Sequence, residues 1–102
     1  MKIATYNVEW FSNLFDNAGN LYDDDRWSGR WDVTRAQQTA ALGAVFAALD
    51  ADGIMVIEGP DSHAKRDGAA ALEGFAARFG LRARKAIIGY VSDTQQEILF
   101  LY

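Results

Sequence analysis

The pattern of hydrophobic and polar positions predicts strands in four stretches of the chain. Residues 2–11, "KIATYNVEWF", are rich in β-branched and aromatic residues and hold no glycine or proline, which is typical of a buried strand. Residues 53–57 predict a second strand, with Glu58 at its end and Gly59-Pro60 stopping it. Residues 81–91 and 97–102 predict two further strands, joined by the turn "SDTQQ".

Two stretches show the spacing of helices that bury one face. The first is predicted to begin at Asp32 or Thr34, either of which serves as N-cap. Its apolar stripe at i, i+3, i+4 and i+7 consists of Leu42, Val45, Phe46 and Leu49. The second helix is predicted over residues 67–79, with Gly80 in the position of a terminating glycine. Its stripe consists of Leu72, Phe75, Ala76 and Phe79.

The predicted order of elements is β-α-β-α-β-β, with a polar connection over residues 12–32. A strand, a crossover helix and a second strand form a unit with parallel strands in almost every known case, so the fold class is α/β or α+β. The last strand, "EILFLY", is apolar enough to need neighbours on both sides. We therefore expect residues 1–102 to form a single partial domain, the N-terminal portion of a larger one.

Two polar residues stand at the ends of the first two predicted strands, Asn7 and Glu58. Ligands of open α/β sheets bind at the carboxyl ends of strands, which is where both residues fall. Regular alternation predicts that Glu58 shares a face with Ile54 and Val56. An ionised carboxylate on such a face is unfavourable unless it is paired or holds a metal.

A structural interpretation stands beside this functional one. A carboxylate at a strand end often caps a helix or pairs with an arginine such as Arg35, and a buried Asn commonly satisfies backbone groups. In that case the chain is a non-catalytic α/β module in which Asn7 and Glu58 have structural roles. The residues alone leave both interpretations open.

The sequence around these two residues resembles a known family. "IATYNVEWF", followed some fifty residues later by "DGIMVIEGPD", is similar to the first two motifs of the endonuclease/exonuclease/phosphatase superfamily. The first motif of that family is a strand ending in Asn-Val or Asn-Ile, matched by Asn7-Val8. The second is a strand ending in a metal-binding Glu, matched by Glu58. The resemblance extends over the chain in element order, but only these two motifs carry it.

The resemblance implies a four-layer α/β sandwich and a Mg²⁺-dependent (or Mn²⁺-dependent) hydrolase of phosphate esters. Glu58 would hold the metal, and Asn7 would contribute to the same metal site and orient a metal-bound water, the phosphate or another side chain. Ile57 stands where many members have Gln, which affects contacts to the substrate. The later Asp-x-Asn and Asp-His motifs have no counterpart in these residues, so the 102 residues alone are expected to be inactive.

Composition narrows the substrate and the cellular location. The net charge of −4 argues against a large nucleic-acid footprint, although a divalent metal can supply the positive charge that phosphate needs. Nucleic acid, inositol phosphate and lipid all remain candidate substrates, and the oligomeric state is open.

Cysteine is absent, which excludes disulfides and thiolate chemistry. The sequence has no apolar run of ~18 residues and no signal-peptide pattern, so we expect a cytoplasmic protein without a membrane span.

Other candidate residues have simpler explanations. Glu9 lies two residues past Asn7 on the same predicted face and could reach a site at the strand ends, but it is better explained as facing water where the strand ends. The acidic run 23–25 lacks the spacing of a calcium loop. Trp27 and Trp31 are better explained as a local core of the long loop than as a base-stacking surface, and His63 as a solvated loop residue. A dinucleotide-binding fold is disfavoured because no G-x-G-x-x-G follows the first strand.

Overall fold

A computed structural model describes residues 1–8, 11–16, 18–22, 24–27, 33–59, 67–90 and 97–102. Within these ranges the chain has a mixed α+β fold, with a four-stranded sheet and two α-helices. The elements in chain order are β1 (Ile3–Asn7), a 3-10 helix (Phe11–Leu14), α1 (Arg35–Leu49), β2 (Gly53–Gly59), α2 (Gly68–Arg78), β3 (Ala86–Tyr90) and β4 (Glu97–Leu101). No helix in these ranges has the length and apolar character needed to cross a membrane.

The strands form one sheet in the order β1-β2-β4-β3. β1 and β2 are parallel, with Ile3 opposite Gly53 and Asn7 opposite Ile57, so the predicted parallel pairing is confirmed. β4 lies between β2 and β3 and is antiparallel to both. The prediction that this apolar strand has neighbours on both sides is therefore also confirmed.

Both helices pack on one face of the sheet, where a cluster of phenylalanines forms the centre of the core. The ring of Phe75 lies 5.1 Å from that of Phe11, 5.2 Å from that of Phe46 and 5.0 Å from that of Phe79, measured between centroids. Tilted and edge-on aromatic pairs of this kind each contribute about 0.5–1.5 kcal/mol beyond burial of area. Phe75 is fully buried and joins α2 to α1 and to the 3-10 helix.

The opposite face of the sheet, which we call the outer face, carries side chains that alternate with the core positions. Pairing across the strands places Asn7 with Ile57, Met55 with Phe100 and Phe100 with Ile87 on this face. Its members are Ile3, Thr5, Asn7, Met55, Ile57, Ile87, Ile98, Phe100 and Tyr102. The ring of Phe100 lies over Gly53, where an added Cβ would be 2.6 Å from Cζ of Phe100. Only glycine allows this close approach.

The start of α1 is set by a capping box. The Thr34 hydroxyl accepts a hydrogen bond from the Gln37 backbone N–H, and the Gln37 side chain accepts one from the Thr34 N–H. Thr34 is therefore the N-cap among the two predicted candidates, while Asp32 lies outside the described residues. The reciprocal bonds satisfy two of the backbone donors left free at a helix start.

The predicted apolar stripe of α1 is wrong at one position. Val45 is 39% exposed, whereas Leu42 and Phe46 are buried. The buried line of the helix also includes Thr39 and Gly43, so it is rotated away from Val45. Gln38 is buried on this side as well, whereas most alanines of the helix are exposed, so the spacing of apolar residues alone does not mark the buried side.

α2 follows its prediction closely. Asp67 is the N-cap, and its carboxylate accepts a hydrogen bond from the Ala70 N–H. Leu72, Phe75 and Ala76 are buried, and Phe79 packs partly buried against the core. Gly80 has φ of 63°, the left-handed conformation expected of a glycine that ends a helix.

Two predicted strands are too long. β1 ends at Asn7, and the chain turns into the 3-10 helix at Phe11, which is fully buried in the core. β3 begins at Ala86 rather than at residue 81. Leu81 is buried outside the strand, and the Arg84 and Lys85 N–H groups both donate to the Tyr102 carbonyl. Phe11 and Leu81 thus lie in connections outside the strands, where their side chains are buried in the core.

Ion pairs hold the connections to the sheet and helices. The Arg35 guanidinium donates two hydrogen bonds of 2.8 Å to Asp24 and lies 3.6 Å above the centre of the Tyr22 ring. At the other end of the molecule Arg82 binds both Asp50 and Asp52. The hydrogen bond from Arg35 lowers the pKa of Asp24, and the backbone N–H of Lys2 does the same for the pKa of Asp52.

We predict that paired glycine substitutions have opposite effects on stability. Gly74→Ala in α2 should raise the free energy of unfolding by about 0.5–1 kcal/mol, because nothing lies near the added methyl group. Gly43→Ala in α1 should lower it by about 1–3 kcal/mol, because the same methyl group collides with the Phe79 ring. Urea unfolding of both variants measures this, and equal effects of the two substitutions would contradict the packing described.

We also predict that acid weakens the fold through Asp24. Its pKa in the folded state is below the ordinary value of 3.8, so its stabilising effect is complete above that value and disappears as pH falls through the lower folded pKa. Asp24→Asn should therefore destabilise the protein at neutral pH and lose stability less steeply below about pH 4 than the natural sequence. Urea unfolding at several pH values tests this, and parallel pH profiles would show that the ion pair does not contribute.

Candidate functional site

The carboxyl ends of β1 and β2 lie side by side at one edge of the sheet. Asn7, the last residue of β1, is opposite Ile57, and the next N–H along, that of Val8, donates to the Ile57 carbonyl at 2.8 Å. Glu58 follows Ile57 directly. The sheet therefore brings the two residues singled out in the sequence to the same edge.

In a regular strand, however, the side chains of Asn7 and Glu58 would point to opposite faces of the sheet. Asn7 and Ile57 are paired and share the outer face, so unbroken alternation would turn Glu58 towards the opposite face. The sequence-based prediction that Glu58 shares a face with Ile54 and Val56 requires this regular alternation. A β-bulge interrupts it, because Ile57 is opposite Ile98 while Gly59 is opposite Glu97.

The bulge leaves Glu58 in an unusual backbone conformation. Its φ is 59°, in the left-handed region, which L-residues other than glycine adopt at a penalty of roughly 1–2 kcal/mol. Bulges and such residues are over-represented beside active sites, where they direct a side chain. Glu58 is half-buried, in contrast with the fully buried Val56 two residues before it.

The surroundings of Glu58 leave its carboxylate available. Among the described residues no hydrogen bond or ion pair to the Glu58 side chain is found. Arg35, the partner proposed in the structural interpretation, binds Asp24 instead and is only 11% exposed. Asn7 is exposed at the same edge. A carboxylate and an amide thus border the end of the sheet, and no described cation neutralises them.

This pair fits a magnesium ion in the chemistry of its donors. Mg²⁺ takes oxygen ligands, keeps several waters, and is commonly held by one or two carboxylates together with substrate phosphate. In the part of the chain that the structure describes, no group of three or more His, Asp or Glu side chains is positioned to hold a metal. Among the side chains that the structure describes at this edge, Glu58 would supply a carboxylate oxygen, and the Asn7 amide oxygen would be a second ligand or a partner for bound water.

Other sequence candidates divide into those the structure places and those it does not describe. Trp27 is 66% exposed, so its predicted role in a local core is wrong, although its backbone bridges to Thr34. Asp24 is occupied by Arg35, which removes it from any calcium site. The remaining candidates, Glu9, Asp23, Trp31 and His63, lie outside the described residues.

A small cavity of about 80 Å³ lies at the far end of the sheet, between the end of α1 and residues 79–83. Its lining includes Phe46, Phe79 and Arg82. Ligand pockets are usually ~300–1,000 Å³, and Arg82 is already bound to Asp50 and Asp52. The cavity does not compete with the edge near Glu58 as a functional site.

Comparison with protein-family models, with curated proteins and with solved structures finds no match to this chain.

We predict that the backbone at Glu58 is strained and that glycine relieves this strain. Glu58→Gly should be more stable than Glu58→Ala by about 1 kcal/mol, because both remove the carboxylate but only glycine adopts a positive φ without penalty. Urea unfolding of both variants measures the difference. Equal stabilities would mean that Glu58 does not occupy the left-handed conformation in solution.

Proposed function

We propose that this chain is the N-terminal part of a metal-dependent hydrolase of phosphate esters, of the endonuclease/exonuclease/phosphatase type. The observation that carries the proposal is the strained bulge, which places a half-buried carboxylate without a described partner beside the end of β1. Structural glutamates are normally paired, and among the described residues Glu58 has no partner, so its unfavourable backbone conformation supports a functional role for the side chain.

The residues at the edge support this chemistry through their oxygen atoms. A bound Mg²⁺ or Mn²⁺ supplies positive charge for the non-bridging phosphate oxygens. Glu58 holds the ion through its carboxylate. The Asn7 amide has both a donor and an acceptor atom, so it can orient a metal-bound water with one and contact phosphate with the other.

The outer face of the sheet supports the finer fold assignment. Helices cover only one face among the described residues, and the other face carries mostly large apolar side chains. Two sheets packed face to face across ~10 Å, each with helices outside, form a four-layer α/β sandwich. In the proposed complete domain a second sheet covers the outer face and brings further catalytic groups to the edge near Asn7.

The substrate class is a phosphate monoester or diester. The net charge of −4 provides no overall attraction for phosphate, and in this proposal the bound metal supplies the positive charge. Nucleic acid, inositol phosphate and phospholipid share this reacting group and remain the three candidate substrates.

A second candidate function is a non-catalytic α/β module. It is favoured by the small number of ligands, because no group of three or more His, Asp or Glu side chains that could hold a metal is found among the described residues. In that case neither residue binds metal, and the two functions are separated by a direct measurement of metal binding.

We predict that the chain binds Mn²⁺ weakly, with a dissociation constant in the millimolar range that is typical of few protein ligands. Glu58→Gln should weaken binding at least tenfold, as measured by electron paramagnetic resonance of free Mn²⁺. Glu73→Gln is the matched control, since Glu73 is also half-buried but accepts a hydrogen bond from the Ala86 N–H on α2's side of the molecule. Equal affinities of both variants would favour the non-catalytic module.

We predict no magnesium-dependent hydrolysis of bis(p-nitrophenyl) phosphate by the 102 residues alone, because a water-activating His-Asp pair has no counterpart in them. Release of nitrophenolate, followed by absorbance with and without Mg²⁺, tests this. Turnover that Glu58→Gln abolishes would show that these residues already contain a complete catalytic site.

A further inference from the structure

The connection between β1 and α1 carries the most exposed of the described aromatic side chains. Trp27 has 66% of its surface open to solvent, Tyr22 in the same connection is 42% exposed, and Arg26 is exposed as well. Single exposed apolar residues are common on protein surfaces. Two exposed aromatic rings together with an arginine are a different kind of surface, because these are the groups with which proteins hold single-stranded nucleic acid.

The topology places this connection at the same end of the sheet as Asn7 and Glu58. β1 and β2 are parallel, and only residues 50–52 join α1 to the start of β2, so α1 runs back along the sheet from the carboxyl ends of these strands. The helix is about 22 Å long, and the strands are roughly 17–23 Å long. The first turn of α1 therefore lies at the carboxyl end of the sheet.

Hydrogen bonds fix the residues next to Trp27 to that first turn. The Arg35 N–H donates to the Arg26 carbonyl at 2.7 Å, and the Ala36 N–H donates to a second carbonyl of the connection, that of Asp24, at 2.9 Å. The Asp24 carboxylate binds the Arg35 guanidinium and also accepts from the Arg26 N–H at 3.0 Å. The indole is thus attached to backbone that is already ordered, which reduces the entropy lost when a ligand binds.

Trp27 also lies on the side of the sheet that the helices cover, because its segment is bonded to the start of α1 and α1 packs against the core on that side. The second sheet of the proposed complete domain lies against the outer face, which is the opposite side. That sheet therefore leaves the indole open. Trp27 stands at the rim of the proposed site, one layer of the fold away from the strand ends.

The charges around the indole favour a nucleobase over a lipid surface. Membrane-binding surfaces combine several apolar side chains with basic residues that are attracted to anionic lipids. Here the exposed Asp25 precedes Arg26 and the whole chain has a net charge of −4, so an anionic bilayer is repelled. A base is uncharged and stacks on a single indole, which leaves its phosphates to the metal and to Arg26. Inositol phosphate has no aromatic ring to stack.

We propose that Trp27 stacks on a nucleobase of the substrate while Arg26 beside it contacts a neighbouring phosphate, so that the chain selects nucleic acid among the three candidate phosphate esters. This inference rests on the proposed function, because it takes the reacting phosphate to be the one at Glu58. Trp27 is a binding residue and not a catalytic one, since it holds a nucleotide next to the bond that is cleaved.

Nuclear magnetic resonance of the nitrogen-15-labelled chain, titrated without metal with a single-stranded DNA of four deoxyadenosines, tests the stacking. The indole N–H signal of Trp27, assigned by its loss in Trp27→Ala, should shift until it saturates. The amide signals of Arg26 and Arg35 should show that Trp27→Ala weakens binding at least fivefold, as expected for the loss of one stacked base. Tyr102→Ala is the matched control, since Tyr102 is also exposed (46%) but follows β4 at the other end of the sheet, and it should bind like the natural sequence.

Three results would overturn the proposal. The first is an unchanged Trp27 indole signal at every DNA concentration. The second is equal weakening by Trp27→Ala and Tyr102→Ala, which would mean that the DNA binds elsewhere. The third is an equal response to inositol trisphosphate or to phosphatidylserine vesicles, which would assign the surface to phosphate or to lipid.

The stacking and the metal site are separated by the absence of metal in this titration, in which Glu58→Gln should bind the DNA like the natural sequence. A chain that binds Mn²⁺ through Glu58 but does not bind the DNA would contradict the stacking alone. A chain that binds the DNA through Trp27 but does not bind Mn²⁺ would contradict the proposed metal site alone.

Discussion

The parallel pairing of β1 with β2 is the interaction on which the rest of the structure depends. Hydrogen bonds from Asp52 N–H to the Lys2 carbonyl at one end, and from Val8 N–H to the Ile57 carbonyl at the other, fix the register. That register points Tyr6, Ile54 and Val56 into the core beneath the helices. It also leaves the ends of both strands at a single edge, so the core and the candidate site follow from the same set of bonds.

The bulge at Glu58 changes what this register would otherwise produce. A regular strand would separate the side chains of Asn7 and Glu58 to opposite faces, because the residue opposite Asn7 is Ile57. The extra residue and its positive φ break the alternation where the strand ends. The positive φ of Glu58 carries a local backbone penalty, and this penalty is the physical reason for proposing that the side chain has a function.

Much of the fold could be predicted from the sequence because the signals are local. The caps Thr34, Asp67 and Gly80 act within one turn of their helices, and the crossover from β1 to β2 has a fixed handedness. The apolar stripe of α1 does not predict the exposure of Val45, because the buried side of that helix includes the polar Gln38 and Thr39 and the small Gly43, which hydrophobic spacing does not mark. The true ends of β1 and β3 depend on which residues fill the core, as Phe11 and Leu81 do, and local pattern does not carry that information.

The candidate site was predicted in part. Asn7 and Glu58 were identified as polar residues at strand ends, and the structure places those ends together. The bulge was not foreseen, because glutamate has no preference for a positive φ and the following Gly59-Pro60 indicates only that the strand stops. The partner of Arg35 was also not predictable, since Asp24 reaches it through a long connection whose path depends on tertiary contacts.

The central claim is that the edge formed by Asn7 and Glu58 is a metal site, and nuclear magnetic resonance with added Mn²⁺ tests it most directly. Paramagnetic Mn²⁺ broadens amide signals near the bound ion. With the metal at this edge, the signals of Asn7, Val8 and residues 57–59 should broaden first, and Glu58→Gln should abolish this effect. Earlier broadening at Asp24 and Asp25, or at Asp50 and Asp52, would place the metal elsewhere and contradict the proposed function.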